Sequence, residues 1–172
     1  MSTKNSNFFS RDCMVQALIQ LLKTKSLSNI TITELTERAG VSRMTYYRNY
    51  HSLDEIFSSY LKDLVESYRQ DVATWPDKGN YNDSRNMLHC YEYFNHYKEF
   101  IACLVTGLGH LLLQALDSYI LDTYYTEDKG QDFYYTLRAF SGSLYNIYVT
   151  WILEDSKESA EEIVSIICKI YS

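Results

Sequence analysis

Six apolar residues, Phe133, Leu137, Phe140, Leu144, Ile147 and Trp151, follow one another at steps of 4, 3, 4, 3 and 4. That spacing keeps all six on one side of a helix, whereas a strand would send them to opposite faces. Little in the chain interrupts such patterns. Its 172 residues include one proline and six glycines, and no stretch sustains the alternation of a half-buried strand. The implied fold class is all-α with short connections. The chain is long enough for a sizeable core, as one large domain or two small ones.

The spacing predicts nine helices. The first runs over 10–23 on a stripe of Met14, Ala17, Leu18, Leu21 and Leu22, and the loop LSNITI comes next. Thr31 and Glu34 form a capping-box pair at the start of the second, and Gly40 suits the left-handed turn that stops it. Ser42 caps the third. Ser52 and Glu55 open a long fourth, which buries Ile56, Phe57, Tyr60, Leu61, Leu64, Val65 and Tyr68 and ends before Pro76. Beyond it lie helices over 83–97, 98–105, 110–125, 131–154 and 159–170. Gly107 and Gly109 are expected to close the sixth, and Ser159 with Glu162 to cap the ninth.

Charge divides the chain more sharply than its total suggests. The net charge is −6, yet residues 1–53 carry seven Lys and Arg against three acids, a local +4, which leaves −10 for residues 54–172. A basic head on an acidic body directs only the head toward a polyanion. The expected domains are therefore a DNA-binding head, 1–53, and a helical ligand-binding and dimerisation body, 54–172.

Within the head, residues 32–50 read helix, glycine turn, helix, the spacing of a helix-turn-helix whose second helix enters the major groove. The residue types suit that work. Arg43 can pair with a guanine edge, and Met44 can meet a thymine methyl. Thr45 and Asn49 offer small polar groups. Tyr47 and Arg48 reach phosphates, as can Ser42 beside the open amides of the helix start.

Position by position, ITITELTERAGVSRMTYYRNYHSLDEIF resembles the tetracycline-repressor (TetR/AcrR) family, and Met14, Ala17 and Leu21 match that family's first helix. The similarity covers roughly residues 10–60. It implies that Thr31 and Thr33 bond phosphate, that Arg43, Met44 and Thr45 face base edges, and that Tyr47 lies on the DNA backbone. Tyr46 and Tyr50 are then anchors of the third helix. Many members carry a lysine near the start of the fourth helix. Here the chain reads His51, Ser52, Leu53, so His51 is left to meet phosphate, most strongly when protonated.

The same resemblance implies a nine-helix fold, a homodimer and a small-molecule effector. The last two predicted helices supply the dimer surface: Phe133, Leu137, Phe140, Leu144 and Trp151 on one, Ile163, Ile166 and Ile170 on the other. AFSGSLYNIYVTWILEDSKESAEEI is similar to a C-terminal domain type frequent among Firmicutes regulators. Tyr91, Tyr93, Tyr97, Tyr119, Tyr145 and Tyr148 are the candidate effector pocket, since tyrosine joins an apolar ring to a polar tip. The implied function is a repressor released from operator DNA by its effector. A co-regulator of the same fold, acting through a protein partner, stays open beside it.

Other chemistry finds no support in the sequence. His89, Cys90, His96, Cys103 and His110 form no tight ligand pair, so neither metal nor cofactor is expected. There is no nucleophile elbow or phosphate loop, which argues against an enzyme. Four widely spaced cysteines read as reduced thiols of a cytoplasmic chain. Apolar runs such as IACLV and LLL are too short for a membrane span, and the N-terminus lacks the apolar core of a signal peptide.

Overall fold

A computed structural model of the chain describes the backbone of residues 3–171, with side chains from residue 9 onward. Among the described residues there are eight α-helices and no strand. They are α1 (Thr3–Leu22), α2 (Ile32–Ala39), α3 (Arg43–Asn49), α4 (Leu53–Ala73), α5 (Ser84–Asn95), α6 (Lys98–Tyr124), α7 (Gly130–Leu153) and α8 (Ala160–Ile170). The chain divides into two compact units, Met1–Leu64 and Val65–Ser172, and the division falls within α4.

In the first unit α1 packs on α2, and α2 on α3. Met14, Leu18, Leu35, Tyr46, Tyr50, Ile56 and Phe57 form its fully buried centre. Local chemistry sets the helix ends. The Thr31 hydroxyl accepts the Glu34 amide at 3.2 Å and opens α2. At the other end Gly40 adopts φ 65°, which a Cβ would penalise. Its amide reaches the Glu37 carbonyl at 3.2 Å, and the Val41 amide reaches Thr36 at 3.0 Å, the paired closure of a Schellman motif. Arg11 ties α1 to the end of α3 and to α4: it donates to the Tyr50 hydroxyl at 3.3 Å and pairs with Asp63 at 2.7 Å.

In the second unit α6 and α7 form the main packed pair, α8 lies on α5, and α5 also touches α6. The inner side of α7 buries Leu137, Phe140, Ser141, Leu144, Tyr148, Trp151 and Ile152. Asp117 of α6 accepts from Arg138 at 2.7 Å and from the fully buried Ser141 hydroxyl of α7. The turn into α8 is held by the Trp151 indole, which donates to the Glu158 carbonyl at 2.9 Å. Both halves of the expected Ser159–Glu162 capping box are present.

One expectation fails in this unit. The separate helices over 98–105 and 110–125 are a single helix, α6, bent at Leu108 (φ −125°, ψ 24°), so eight helices replace nine. Neither Gly107 nor Gly109 takes a positive φ, so neither makes the turn expected of it. Two glycines weaken a helix without ending it when the apolar face continues on both sides. Joined in this way, the segment is also long and apolar enough, by length and composition, to cross a membrane, contrary to the expectation from its short runs. In the fold it buries Phe100, Ile101, Leu104, Leu112 and Ile120 and packs along α7.

The glycines therefore differ in what a methyl group would do. Gly40→Ala meets no neighbour within 4 Å but keeps the left-handed backbone, and is expected to cost about 1 kcal/mol. Gly107→Ala also meets no neighbour but lies in helical backbone, and is expected to stabilise by roughly 0.5–1 kcal/mol. Urea denaturation of the two variants checks the opposite signs.

Candidate functional site

The short helix α3 presents two opposed surfaces. Tyr46 is 1% exposed, and Tyr50, just past the helix, is 2% exposed. Their rings lie 6.0 Å apart, and Tyr47 meets the edge of Tyr46 at 5.3 Å. Arg43, Met44, Tyr47 and Arg48 occupy the outward stripe, at positions one and four apart in the helix. Met44 is 68% exposed and Tyr47 51%. Among the described residues no acid pairs with Arg43 or Arg48. An exposed methionine and tyrosine flanked by two unpaired guanidinium groups suit a partner that is both anionic and flat-edged.

The remaining expected contacts are placed differently. Ser42 and Thr45 bond each other through their hydroxyls at 2.9 Å, and Ser42 also caps α3 by accepting the Thr45 amide at 3.1 Å. Asn49 turns its amide back onto the Thr45 carbonyl at 2.8 Å. Thr45 and Asn49 are thus half-buried groups that serve their own helix. Thr33 and Thr31 are exposed, the latter as the cap of α2. His51 is exposed, and its backbone amide donates to Glu55 at 2.6 Å. Leu53 is half-buried at the start of α4. Of the nearby lysines, Lys25 pairs with Glu34 at 2.5 Å, and that hydrogen bond holds the Glu34 carboxyl below its usual pKa.

The second unit encloses a cavity of about 50 Å³. Its wall takes Val65 and Tyr68 from α4, Cys90, Tyr91 and Phe94 from α5, Leu112, Ala115, Leu116 and Tyr119 from α6, and Leu144, Tyr145 and Tyr148 from α7. Four of the six candidate tyrosines, Tyr91, Tyr119, Tyr145 and Tyr148, are in that wall. Tyr93 and Tyr97 are not; Tyr93 packs instead against Tyr68, Phe94 and Tyr97, with centroids 5.2, 5.1 and 5.7 Å away. Sequence reasoning passed over Tyr68, although its place on the inner stripe of α4 was a usable signal.

No ionised group lines this cavity. Burial raises the pKa of Tyr68, Tyr91 and Tyr148, with Cys90 adding to each, so all three phenols stay neutral. Burial also pushes the Cys90 thiol up to about 12, against the lowering effect of its hydrogen bond with Tyr68. The Tyr91 hydroxyl donates to the Leu144 carbonyl at 3.2 Å. The Tyr148 hydroxyl is buried and has no hydrogen-bond partner.

The expected dimer surface needs correction. Leu137, Phe140, Leu144, Trp151 and Ile163 are all buried within the chain itself, so that part of the stripe is internal core. Phe133 is half-buried, with its ring against Tyr81 at 5.8 Å, and Ile147 is also half-buried. Ile166 and Ile170 do remain outside, 48% and 60% exposed. A core helix and a dimer seam repeat with the same period, so the spacing could not separate them.

No family model matches the chain. A curated relative, the uncharacterised HTH-type transcriptional regulator YxbF of Bacillus subtilis (strain 168), is 26% identical over 157 residues, covering 86% of this chain and 41% of the relative. The chain thus spans about two fifths of that relative's length. Among solved structures, a TetR-family transcriptional regulator from Streptomyces coelicolor superposes with a TM-score of 0.63 at 15% identity, over 98% of this chain and 79% of that one. The chain is TetR-like. The dihydroxyacetone kinase operon activator DhaS superposes with a TM-score of 0.59 at 17% identity, over 94% of this chain and 93% of the other. The TetR-like fold thus appears here with a likeness to regulators and not to enzymes.

The two buried tyrosines of the cavity offer a test of this wall. Tyr91→Phe removes a made hydrogen bond and strands the Leu144 carbonyl, and is expected to cost about 1 kcal/mol or somewhat more. Tyr148→Phe removes an unmade one and is expected to be neutral or stabilising in the unliganded protein. Paired chemical denaturation curves decide the order.

Proposed function

We propose that the chain is a DNA-binding transcriptional regulator, a repressor that leaves its operator when a small molecule binds the body. The observation that carries this is the outward stripe of α3, with Arg43, Met44, Tyr47 and Arg48 exposed over the buried Tyr46 and Tyr50. In this reading α3 lies in the major groove. Arg43 and Met44 meet base edges, while Tyr47 and Arg48 hold phosphates. Thr31, Thr33 and His51 add contacts to the DNA backbone. Thr45 and Asn49 shape α3 more than they read sequence, given their internal hydrogen bonds.

A reader of paired half-sites needs a two-fold partner, with heads about 34–36 Å apart. The dimer surface proposed is the outer side of α7 and α8. There Ala139, Asn146, Thr150 and Leu153 stand exposed near Gly142, and Ile166 and Ile170 are the apolar anchors. A groove of about 360 Å³, lined by Ile147, Thr150 and Ile166 among others, runs along the same side. The effector enters the second unit's cavity. If it favours a head separation other than the operator's, it lowers DNA affinity by shifting populations. The protein acts where the chromosome is, in the cytoplasm.

The runner-up is a co-regulator that works through a protein partner. Leu53, where a cation is expected, and the large exposed apolar surface of Met44 favour it. DhaS, described as an operon activator, keeps the direction of regulation open to the same test.

Gel shifts on DNA flanking the chain's own gene separate the readings. Arg43→Ala is expected to relax preference at one base pair by about 1–3 kcal/mol, and Tyr47→Phe to weaken all sequences alike. No specific shift at low salt, from an intact dimer, would sink the operator-binding reading. For the dimer, Ile166→Glu with Ile170→Glu is expected to give a folded monomer by light scattering. Leu137→Ala, cut from the internal core, is expected to lose about 2–5 kcal/mol of stability while the folded fraction stays dimeric.

A further inference from the structure

The cavity in the second unit has one polar atom that the fold leaves unserved. Tyr148 is 7% exposed, and its hydroxyl is buried without a hydrogen-bond partner. Its ring is fixed by Tyr91 at 5.1 Å and Trp151 at 6.1 Å. The hydroxyl therefore cannot swing out to water. It lies where Cys90 and Tyr91, both wall residues, act on it electrostatically. The other buried phenols are served: Tyr91 by the Leu144 carbonyl, Tyr68 by Cys90 and Tyr119. Leaving such a group unpaired costs free energy, and natural folds rarely do so without a use.

The rest of the wall sets the other requirements. Its residues are aliphatic, aromatic or a thiol, and none carries a charge. The nearest cation, Arg69, sits over the Tyr119 ring at 5.2 Å and is already paired with Asp122 at 2.8 Å. A charged ligand would lose its hydration and gain no counter-ion. The space of about 50 Å³ is roughly a third of the apolar cavity known to hold benzene, about 150 Å³. It suits a molecule of a few heavy atoms.

We propose that the cavity binds a small, uncharged, mainly apolar molecule carrying one hydrogen-bonding oxygen, such as a short alcohol, aldehyde or ketone, and that Tyr148 is the residue that selects it. This deepens the effector reading and rests on it for its regulatory consequence, though not for binding itself. The Tyr148 hydroxyl donates to the ligand oxygen, and the Leu112, Ala115 and Leu144 side chains cover the carbon chain.

The test uses the full chain without DNA and four probes of equal length: butan-1-ol, butan-2-one, butyrate and butylammonium. Binding is followed by ligand-observed NMR and by the shift in melting temperature. The two neutral probes are expected to bind, and the two ions to give no saturable signal. Tyr148→Phe is expected to weaken butan-1-ol about three- to tenfold while remaining folded. Ala115→Leu, which fills the space from a different helix, is expected to abolish binding of both neutral probes. Butyrate binding as well as butan-1-ol overturns the proposal, as does equal affinity in Tyr148→Phe. Failure of every probe also overturns it and leaves the hydroxyl to a resident water. A protein that binds the neutral probes but shifts no DNA keeps this site and loses the regulator reading. One that shifts DNA but binds no probe does the reverse.

Discussion

Asp117 is the polar tie on which the second unit is organised. It is a carboxylate on α6, its side chain only 13% exposed, and it accepts from Arg138 and from the buried Ser141 of α7. A carboxylate so placed is tolerable only while both partners hold it. It therefore locks the register of the largest helix pair in the unit. Once that register is set, the inner side of α7 is committed. Leu137, Phe140, Leu144, Tyr148 and Trp151 all face the core, and Leu144, Tyr145 and Tyr148 come to line the cavity against α6. The outer side is left with Asn146, Thr150 and Leu153. The same tie thus decides which half of α7 packs within the chain and which half is open to a second copy.

The first unit works by a different division of labour. Its short recognition helix has seven residues, too few to stand by itself in water. Three things hold it: the Ser42 cap, the Gly40 turn that sets its entry, and the Tyr46 and Tyr50 rings sunk into the core. Arg11 then fixes Tyr50 from α1. With the inner side supplying stability, the outer stripe can expose Met44 and Tyr47, apolar surface that a stability argument alone would hide.

How much of this the sequence disclosed depends on the range of each interaction. Caps and the left-handed glycine depend on residues three to five apart, and Thr31, Gly40, Ser42 and Ser159 were legible for that reason. The anchors Tyr46 and Tyr50 were legible by family likeness and by their place opposite a polar stripe. What failed depended on partners far along the chain. Nothing local to Gly107 and Gly109 says whether the apolar face carries on past them, so one bent helix was read as two. Nothing local to the stripe from Phe133 to Trp151 says whether α6 or a second chain covers it. Tyr93 and Tyr97 fell outside the cavity, since neighbours on a helix point to different sides and composition cannot choose between them.

The cavity and the regulatory reading constrain each other. Effectors of drug-like size need pockets of about 300–1,000 Å³, several times what is open here. Either a large effector must push the wall apart, or a small one must do its work within the existing space. The bend at Leu108 bears on the choice. Tyr145, a wall residue of α7, rests its hydroxyl against Gly109, where even a methyl group would come within 2.6 Å of it. Wall and bend are therefore in contact, and a ligand that displaces Tyr145 acts first on the weakest point of α6. A small neutral molecule held by Tyr148, three residues along α7, has its leverage one turn from that contact. A molecule of a few heavy atoms is thereby placed to alter the bend of a 27-residue helix without refilling the whole core.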